Sequence, residues 1–340
     1  MSASPRVGPP QSSAFLRSVA RLGNVVLDPT VVFSFDQTGF ERHRIQFDAE
    51  DDLQPLTGRT CLVTGANSGL GEATARALAT RGATVGLLCR NPDRATAAAA
   101  AIQQETGNPH VFAHIVDLTS TESIEACVRT LPVESVDVLV NNAGVLLDSR
   151  VDTSAGLEAT LATNLIGPWR LTAALIGHLR RGQNSRIIWV SSGGMYTQRL
   201  NISHLENPPS PFDGVRAYAQ TKRAMVHLSE RLSTELAAAG IAVHCMHPGW
   251  AATPGVQRSL PLFWKVTRPI LRTSEAGADT IVWLSGCDRA QTQSGLFWFD
   301  REPRSTHLLP RTRVDTDTLD KLWARTHELA GVPSTIWTAP

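Results

Sequence analysis

Lysine and tyrosine are scarce in this sequence. Only three of the 32 basic residues are lysines, and the chain has two tyrosines, Tyr196 and Tyr218. Lys222 follows Tyr218 by four positions, which on a helix places both side chains on one face, one turn apart. Tyr196 has Leu200 at the same spacing, so we expect it to pack or to line a pocket. The Tyr218 and Lys222 pair is therefore the first candidate for chemistry.

Cysteine is also sparse. The five thiols are odd in number, lie in apolar runs and form no CxxC pair, which predicts buried thiols in a reducing compartment. They are Cys61, Cys89, Cys127, Cys245 and Cys287. His244, Cys245 and His247 are close in sequence, but neighbours in an extended segment point to opposite faces and no second ligand cluster follows. We therefore expect no metal site.

A charge excess and long apolar runs are both absent. The balance of 32 basic and 31 acidic residues leaves a net charge of +1, which indicates no basic face for nucleic acid. No segment reaches the ~20 apolar residues that span a bilayer, and residues 1–30 lack the apolar core of a signal peptide. We expect a cytoplasmic protein that acts on a small, near-neutral molecule.

Residues 1–56 form an N-terminal extension that mixes apolar patches with charge. Its arginines and serines, with no acidic residue before Asp28, are also typical of an organellar targeting segment. We favour an amphipathic helix built on Phe15, Leu16, Val19 and Leu22. The extension is then a structural flap or an element that contacts a membrane surface peripherally.

From residue 57 onward, short β-branched runs alternate with longer helical stretches. This pattern predicts parallel βαβ units and, with right-handed crossovers, a Rossmann-type doubly wound α/β sheet of about seven strands flanked by helices. We expect strands near residues 60–63, 84–88, 111–116, 136–140, 186–190, 242–246 and 296–299. The catalytic domain is then a single domain over residues 57–300, followed by a C-terminal extension, 301–340, with a helix around 318–329.

A glycine-rich segment follows the first predicted strand and opens a helix, which is the context of a dinucleotide-binding fingerprint. Gly65 permits the tight turn, Gly69 lets the backbone approach the pyrophosphate, and Gly71 allows close helix packing. The residues expected to contact the cofactor in this loop are Gly65, Asn67, Ser68, Gly69, Leu70 and Gly71.

The second predicted strand is followed by an arginine. An acidic residue at this place would bind the ribose hydroxyls of NAD, whereas Arg90 can pair with the 2′-phosphate of NADP through its planar guanidinium. The alternative is a surface arginine without a function. We expect NADP as the cofactor, with NAD the less favoured choice.

Together these motifs resemble the short-chain dehydrogenase/reductase family over about residues 57–299. The resemblance is carried by the TGxxxGxG loop, the segment Asn141-Asn142-Ala143-Gly144 and the Tyr218-Ala219-Gln220-Thr221-Lys222 motif. Further matches are Asp117, Asn164, Ser192, Pro248-Gly249 and Thr253. Segments such as Met246-His247-Pro248-Gly249-Trp250-Ala251 are similar to the twelfth-numbered dehydrogenase/reductase subfamily in particular.

The resemblance implies roles for these residues. Ser192, Tyr218, Lys222 and Asn164 would be catalytic, with Tyr218 as general acid/base, Ser192 bonded to the substrate oxygen and Asn164 holding a relay water; Asn164 could instead cap a helix. A tyrosine of pKa ~10 is a weak base at neutral pH, and the Lys222 cation is expected to lower that value. Cofactor contacts implied beyond the glycine loop and Arg90 are Asp117, Leu118, Asn141, Ala143, Gly144, Tyr218, Lys222, Pro248, Gly249 and Thr253.

The expected reaction interconverts a carbonyl and an alcohol on a small, lipophilic substrate. An apolar lid after the sixth strand is consistent with this, although it could equally pack on the N-terminal flap or a second subunit; it contains Trp250, Val256, Leu260, Leu262, Phe263 and Trp264. Two other functions remain open: an NADP-binding scaffold without turnover, and a sugar-nucleotide epimerase or dehydratase. A homo-oligomer is also possible on this pattern.

Overall fold

The computed structural model describes residues 14–48 and 55–338, and predictions for residues 1–13 or for the side chain of Phe15 lie outside this part. The strands are β1 (Thr60–Thr64), β2 (Thr84–Cys89), β3 (Val111–Ile115), β4 (Val138–Asn141), β5 (Arg186–Val190), β6 (Ala242–Met246), β7 (Phe297–Phe299) and β8 (Glu302–Pro303). The helices are α1 (Ala14–Leu27), α2 (Val32–Phe35), α3 (Gln37–Arg44), α4 (Gly69–Thr80), α5 (Pro92–Thr106), α6 (Thr121–Arg129), α7 (Ala159–Leu161), α8 (Gly167–Ala174), α9 (Ile176–Arg181), α10 (Ile202–Glu206), α11 (Gly214–Glu235), α12 (Pro254–Ser259), α13 (Pro261–Thr267), α14 (Ser274–Gly286), α15 (Asp288–Thr292) and α16 (Thr316–Ala330).

The strands form one sheet in the order β3-β2-β1-β4-β5-β6-β7-β8, and every neighbouring pair is parallel except β7 and β8. The predicted doubly wound α/β fold is confirmed. The chain runs from β1 outward to β3 and then returns to β4 on the other side of β1. Open α/β sheets bind ligands beyond the carboxyl ends of the strands at this switch point. The fold therefore places the candidate site after β1 and β4.

The eighth strand, β8, is one more than the sequence predicted. It follows β7 through a turn of two residues, Asp300 and Arg301, whose φ values of 50° and 61° belong to the left-handed region. Hairpin turns of this type are usually marked in the sequence by Asn-Gly or Asp-Gly. The pair here is Asp-Arg, so the sequence carries no such signal. Side chains hold it instead: Arg272 donates to both oxygens of Asp300, at 2.6 and 2.8 Å, and Arg301 donates to both oxygens of Asp279, at 2.8 and 2.6 Å.

The central strands are continuous apolar runs because the sheet is covered on both faces. Strands β4, β5 and β6 are buried along their whole length. One core lies between the sheet and α8, α11 and α16, and a second lies between the sheet and α4, α5 and α14. All five cysteines are buried, as predicted, and none is in a disulfide. No group of three potential metal ligands occurs within the described residues.

The C-terminal extension completes the first of these cores. Trp169 of α8 meets Trp323 of α16 and Trp337 edge-on, with ring centroids 5.3 and 5.2 Å apart. Arg170 fastens the end of α16 by donating to the carbonyl oxygens of Ala330 and Leu329, at 2.8 and 2.7 Å. These contacts attach α16 and the following Trp337 to α8. Across the described residues, no helix has the length and apolar character to cross a bilayer.

A buried ionic cluster joins the N-terminal helices to the sheet. The imidazole of His43 in α3 contacts Asp300 through Nδ1, at 2.5 Å, and Asp28 through Nε2, at 2.9 Å. Arg42 and Arg304 also lie on Asp28, at 2.7 and 3.4 Å. Burial opposes the charge of His43, but its two carboxylate partners outweigh it and raise the pKa of the imidazole above its usual value.

This cluster predicts a pH-dependent contribution to stability. Because the folded pKa of His43 is raised, its charge stabilises the fold fully below the unfolded pKa of ~6.5, and that stabilisation is lost as pH rises through the folded pKa. We expect His43→Gln to lower the free energy of unfolding by about 2 kcal/mol at pH 6, and by less at pH 9.

Urea unfolding of both proteins at the two pH values measures this difference. His110→Gln is the matched control, because His110 is exposed and no carboxylate contact is recorded for it. An equal deficit for His43→Gln at pH 6 and pH 9 would contradict the ionic role of the imidazole.

Candidate active site

The glycine loop between β1 and α4 has the geometry of a cofactor cradle. Gly65 and Gly69 have φ values of 67° and 58°, which favour glycine over any L side chain. A Cβ at Gly71 would lie 2.5 Å from Asn142 Nδ2 and from the Gly65 carbonyl oxygen. Helix α4 can therefore lie this close to the loop only with glycine at position 71. A Cβ at Gly69 would lie 3.3 Å from the side chain of Thr253. The loop is therefore kept open at its centre and bounded by two other predicted site segments.

Helix α4 begins without a side-chain cap. The hydroxyl of Ser68, at the N-cap position, makes no capping hydrogen bond. By contrast, α5, α6, α11, α14 and α16 each begin with an Asn, Ser, Asp or Thr side chain that accepts a hydrogen bond from the first turn. The first-turn N–H groups of α4 are thus left for an anion, and these residues fit the pyrophosphate of a dinucleotide.

The segment after β4 supports the glycine loop through Asn142, which the sequence argument did not single out. Its Nδ2 donates to the Thr64 carbonyl oxygen at 2.8 Å, and the backbone N–H groups of Asn142 and Ala143 both donate to Thr64 Oγ1 at 2.9 Å. Asn141, which was predicted to contact the cofactor, is buried and its Nδ2 donates to Thr172 in α8 at 3.0 Å. Asn141 therefore braces the core below the site, and Asn142 ties β4 to the cradle.

The predicted adenosine-side residues lie at the ends of β2 and β3. Arg90 is exposed directly after β2, next to Asn91, which caps α5. Asp117 follows β3 and accepts hydrogen bonds from the N–H and hydroxyl of Thr119, at 2.9 and 2.7 Å, which fixes the turn into α6. Leu118 is buried. These residues lie at the same edge of the sheet as the glycine loop, at the ends of the neighbouring strands β2 and β3.

Tyr218 and Lys222 lie one turn apart near the start of α11, as their spacing predicted. The Lys222 ammonium is 5.6 Å from the centroid of the Tyr218 ring and donates to the Val190 carbonyl oxygen at 2.8 Å. Lys222 is 2% exposed, and burial lowers its pKa to about 8. A Cβ on Gly144 would lie 3.5 Å from the same ammonium and 3.4 Å from Asn164 Oδ1, so the segment after β4 lies next to both side chains.

Ser192, after β5, is the serine that meets Tyr218. Its hydroxyl lies beside the Tyr218 phenol, on whose pKa it has a lowering effect, and it accepts a hydrogen bond from the Gly194 N–H at 3.2 Å. Ser191 is buried and donates to the Lys222 carbonyl oxygen at 3.0 Å, which makes it a support of α11. The structure therefore places Ser192 toward the Tyr218 phenol and Ser191 toward the backbone of α11.

The pKa of Tyr218 differs in direction from the sequence expectation. Burial raises the pKa of the phenol, while the hydrogen bond from Ser192 opposes that rise. The Lys222 cation was expected to lower it, but burial depresses the charge of Lys222 as well. Both groups of the pair are thus pushed toward their neutral forms by the protein alone.

Asn164 does not cap a helix; it lies in a π-helical segment (Ala162–Ile166) between α7 and α8. Its Oδ1 accepts from the Val145 N–H at 2.8 Å, and its Nδ2 donates to the Val145 carbonyl oxygen at 3.0 Å and to Thr221 Oγ1 at 3.2 Å. The Thr221 hydroxyl in turn donates to the Tyr218 carbonyl oxygen at 2.7 Å. Asn164 therefore joins the loop after β4 to α11, as π-helical segments at functional sites often do.

The loop after β6 forms the opposite wall. Thr253 caps α12 by accepting from the Val256 N–H at 3.2 Å, and this threonine faces Gly69. Ser259, at the end of α12, donates to the Leu146 carbonyl oxygen at 2.9 Å, so α12 crosses from the glycine loop to the loop after β4. Gly249 has a φ of 72°. These contacts make α12 and α13 a cover over the cleft.

The predicted apolar lid is divided between two environments. Trp250 packs edge-on against Phe263 of α13 and against Phe35 of α2, with centroids 5.3 and 6.1 Å apart. Leu262, on the outer side of α13, is 75% exposed. Part of the lid thus packs on the N-terminal segment, one of the alternatives that the sequence left open. Tyr196 is buried and donates to the Ser305 carbonyl oxygen at 2.9 Å, so its hydroxyl is structural.

Comparison with known proteins agrees with this geometry. Residues 59–261 match the family model of the short chain dehydrogenase. The chain is 43% identical to the bovine (Bos taurus) Dehydrogenase/reductase SDR family member 12 over 87% of its own length and 94% of that protein. It is 33% identical to the bovine (Bos taurus) Retinol dehydrogenase 12 over 83% of its own length and 89% of that protein.

Solved structures show the same fold. An uncharacterized protein from Mycobacterium paratuberculosis matches with a TM-score of 0.67 and 27% identity, over 83% of this chain and 97% of that chain. A Shigella flexneri short chain dehydrogenase complexed with NADP matches with a TM-score of 0.59 and 25% identity, over 74% of this chain and 100% of that chain. The matched relatives, the sheet order and the arrangement of Ser192, Tyr218 and Lys222 lead to one assignment: the chain belongs to the short-chain dehydrogenase/reductase family of oxidoreductases.

Proposed function

We propose that this oxidoreductase interconverts a carbonyl and an alcohol on a small lipophilic substrate with NADP(H), using Tyr218 as general acid/base. The observation that carries the proposal is the contact of three groups at one sheet edge. The Ser192 hydroxyl lies beside the Tyr218 phenol, and the Lys222 ammonium lies 5.6 Å from the tyrosine ring. A scaffold that only binds a nucleotide has no need of this set.

The chain's own residues account for proton movement at the substrate oxygen. Ser192 donates to that oxygen and holds it beside the Tyr218 phenol, which gives or takes the proton. When bound, NADP supplies or accepts the hydride and, in its oxidised form, adds a positive charge near the tyrosine. Such a charge would lower the Tyr218 pKa that burial raises. Lys222 and Asn164 hold the adjoining backbone and offer a path for the proton away from Tyr218.

Arg90 supports NADP over NAD. It is exposed at the carboxyl end of β2, where an acidic side chain would otherwise accept hydrogen bonds from the adenosine ribose. Its planar guanidinium suits a 2′-phosphate. A related dehydrogenase structure contains NADP, while a 3-ketoacyl-(acyl-carrier-protein) reductase from Brucella melitensis, 26% identical with a TM-score of 0.56 over 71% of this chain and 96% of that chain, contains NADH. The preference therefore rests on Arg90.

A lipophilic substrate is supported by the cover of the cleft and by the relatives. Trp250 and Phe263, in the segment after β6, pack edge-on against each other and are both partly exposed. Two retinol dehydrogenases, whose names denote a lipophilic alcohol, align with 83 and 82% of this chain at 33 and 30% identity. A sugar-nucleotide epimerase is less favoured, because the residues after β6 form two short helices and not a larger substrate domain.

The proposal predicts that Tyr218→Phe lowers kcat by about 100-fold or more, since it removes the hydroxyl that transfers the proton. NADPH binding, measured by fluorescence titration, should be unchanged, because the glycine loop is untouched. Turnover is measured with NADPH and a panel of retinaldehyde and medium-chain aldehydes.

Tyr196→Phe is the matched control. It removes the other phenol, whose bond to the Ser305 carbonyl oxygen is structural, and should cost about 1 kcal/mol of stability without lowering kcat. If Tyr218→Phe keeps kcat within tenfold of wild type, the assignment of Tyr218 as general acid/base is wrong.

The cofactor proposal predicts that Arg90→Ala weakens NADPH binding by about tenfold or more, the effect of losing one charge-assisted hydrogen bond of about 1.5–3 kcal/mol. NADH binding should not change, because NADH lacks the 2′-phosphate. Fluorescence titration of both cofactors measures the ratio, and Arg129→Ala, at an exposed arginine on α6, is the control. Tighter binding of NADH than NADPH by the wild-type protein would overturn the preference.

We also propose that the protein is cytoplasmic and contacts an anionic membrane surface through α1. The five buried thiols are consistent with a reducing compartment. Helix α1 buries little of its apolar stripe: Val19, Leu22 and Val26 are 52, 69 and 64% exposed. Residues 1–27 contain three arginines and no acidic residue. An apolar face bordered by arginines is typical of helices that lie in the headgroup region of anionic bilayers.

The membrane proposal predicts co-sedimentation with phosphatidylserine-containing vesicles, weakened by salt, and weaker binding to phosphatidylcholine alone. Leu22→Asp with Val26→Asp should abolish this binding, whereas Val151→Asp, at a valine 49% exposed away from α1, should not. Concentration-dependent dimerisation of wild type that is lost in the double variant, without vesicle binding, would instead assign the face to a second copy of the chain.

A further inference from the structure

Phe35, the last residue of α2, lies behind two loops of the active site. Its ring is 4.5 Å from the His247 ring and 6.1 Å from the Trp250 ring, measured between centroids. On another side it is 5.1 Å from Phe299 and 6.4 Å from Tyr196. A single side chain of the N-terminal segment is thus in contact with the loop after β6 and with strand β7 of the sheet.

Two glycines make room for Phe35, one in each loop. A Cβ on Gly193, the residue after Ser192, would lie 2.6 Å from the Phe35 ring. A Cβ on Gly249 would lie 2.7 Å from the Phe35 carbonyl oxygen and would also overlap the Arg272 guanidinium. Contacts of this length are not tolerated by a real side chain, so both loops are shaped around Phe35.

Hydrogen bonds to the backbone carbonyl groups of α2 hold it in this position. The Trp250 N–H donates to the Phe35 carbonyl oxygen at 2.8 Å, and Arg272 Nε donates to the same oxygen at 2.9 Å. Arg272 also donates to the Ser34 carbonyl oxygen at 2.8 Å and forms the bidentate pair with Asp300. Arg272 is fully buried. The segment is therefore held in place by the interior of the catalytic domain, although it precedes the matched residues 59–261.

We propose that Phe35 is a positioning residue for the active site. The N-terminal segment from α2 to α3, called the wedge below, places the Phe35 ring between the Ser192 turn and the loop at residues 248–250 and so sets the distance between them. This inference rests on the proposed function for its catalytic consequence. Ser192 must hold the substrate oxygen beside Tyr218, and the loop after β6 faces the glycine loop through Thr253. Loss of the wedge displaces both without touching the glycine loop.

A displacement of this kind affects the chemical step more than cofactor binding. Misplacement of a reacting group by about 1 Å costs on the order of 100-fold in rate. Phe35→Ala should therefore lower kcat by between about 10- and 100-fold. The dissociation constant of NADPH should rise by a smaller factor, because the glycine loop is untouched and only the contacts expected from Pro248 and Gly249 are displaced. Phe35→Leu retains most of the buried volume and should recover a large part of the loss.

Phe40→Ala is the matched control. Phe40 lies in the same N-terminal segment, is as buried as Phe35 (5 and 7% exposed), and packs against Phe47 and Ala276. Its ring also lies 5.4 Å from the Arg272 guanidinium, and among the described residues it pairs with no aromatic ring of the loop after β6. A loss of stability in Phe40→Ala without a loss of kcat would separate positioning from general support of the fold.

The experiment combines hydrogen–deuterium exchange with steady-state kinetics on the full-length protein, using NADPH and the aldehyde panel. In Phe35→Ala, the amides of Gly194 and Trp250 should exchange faster than in wild type and in Phe40→Ala, and kcat should fall. If Phe35→Ala fails to fold, Phe35→Leu is measured in its place against Phe40→Leu.

Unchanged exchange at both amides, or equal losses of kcat in the Phe35 and Phe40 variants, would overturn the inference. If wild type turns over no carbonyl or alcohol, the proposed function fails. The exchange measurement then still decides the structural part, because it needs no substrate. A loss of NADPH affinity that matches the loss of kcat would also contradict the proposal, since the wedge does not touch the cradle.

Discussion

The buried pairing of Arg272 with Asp300 is the interaction on which the rest of the structure depends. Placing both charges inside the protein is costly unless every polar atom finds a partner. Here the guanidinium donates to both oxygens of Asp300 and to carbonyl oxygens of Ser34, Phe35 and Asp36. The same residue closes the hairpin of the last two strands, fixes the start of the loop beside the cofactor site and anchors the N-terminal helices. One side chain thus connects three parts of the chain that are far apart in sequence.

The active site has the opposite arrangement, because some of its polar and ionisable groups are left without a side-chain cap or a stabilised charge. Helix α4 has no side-chain cap, and burial pushes Tyr218 and Lys222 toward their neutral forms. Such groups are costly to an isolated protein and become favourable when a charged ligand arrives. The rigid surroundings, in which Asn142 and Asn164 bind backbone on two sides, maintain this arrangement in the absence of a ligand.

Much of this could be predicted from the sequence, because its signals are local. The glycine loop follows its strand directly, and Tyr218 and Lys222 are related by helical spacing. What could not be predicted depends on distant contacts. The turn at Asp300 and Arg301 has no turn signal in its sequence. It is held instead by ion pairs of these two residues with Arg272, just before α14, and with Asp279 in α14. Phe35 looks like any apolar residue of an extension until Gly193 and Gly249 are found against it. The direction of the Tyr218 pKa depended on burial, which spacing does not report.

The contacts of the N-terminal segment also constrain how the chain is synthesised. Ser34 and Arg272 are 238 residues apart, and His43 and Asp300 are 257 apart. On the ribosome, α1 to α3 emerge first but have no partner until the last strands have been made. During that interval the apolar side of α1 and the ring of Phe35 are both exposed to solvent. A chaperone or a nearby bilayer that shelters these helices would therefore act on the nascent chain well before the active site exists.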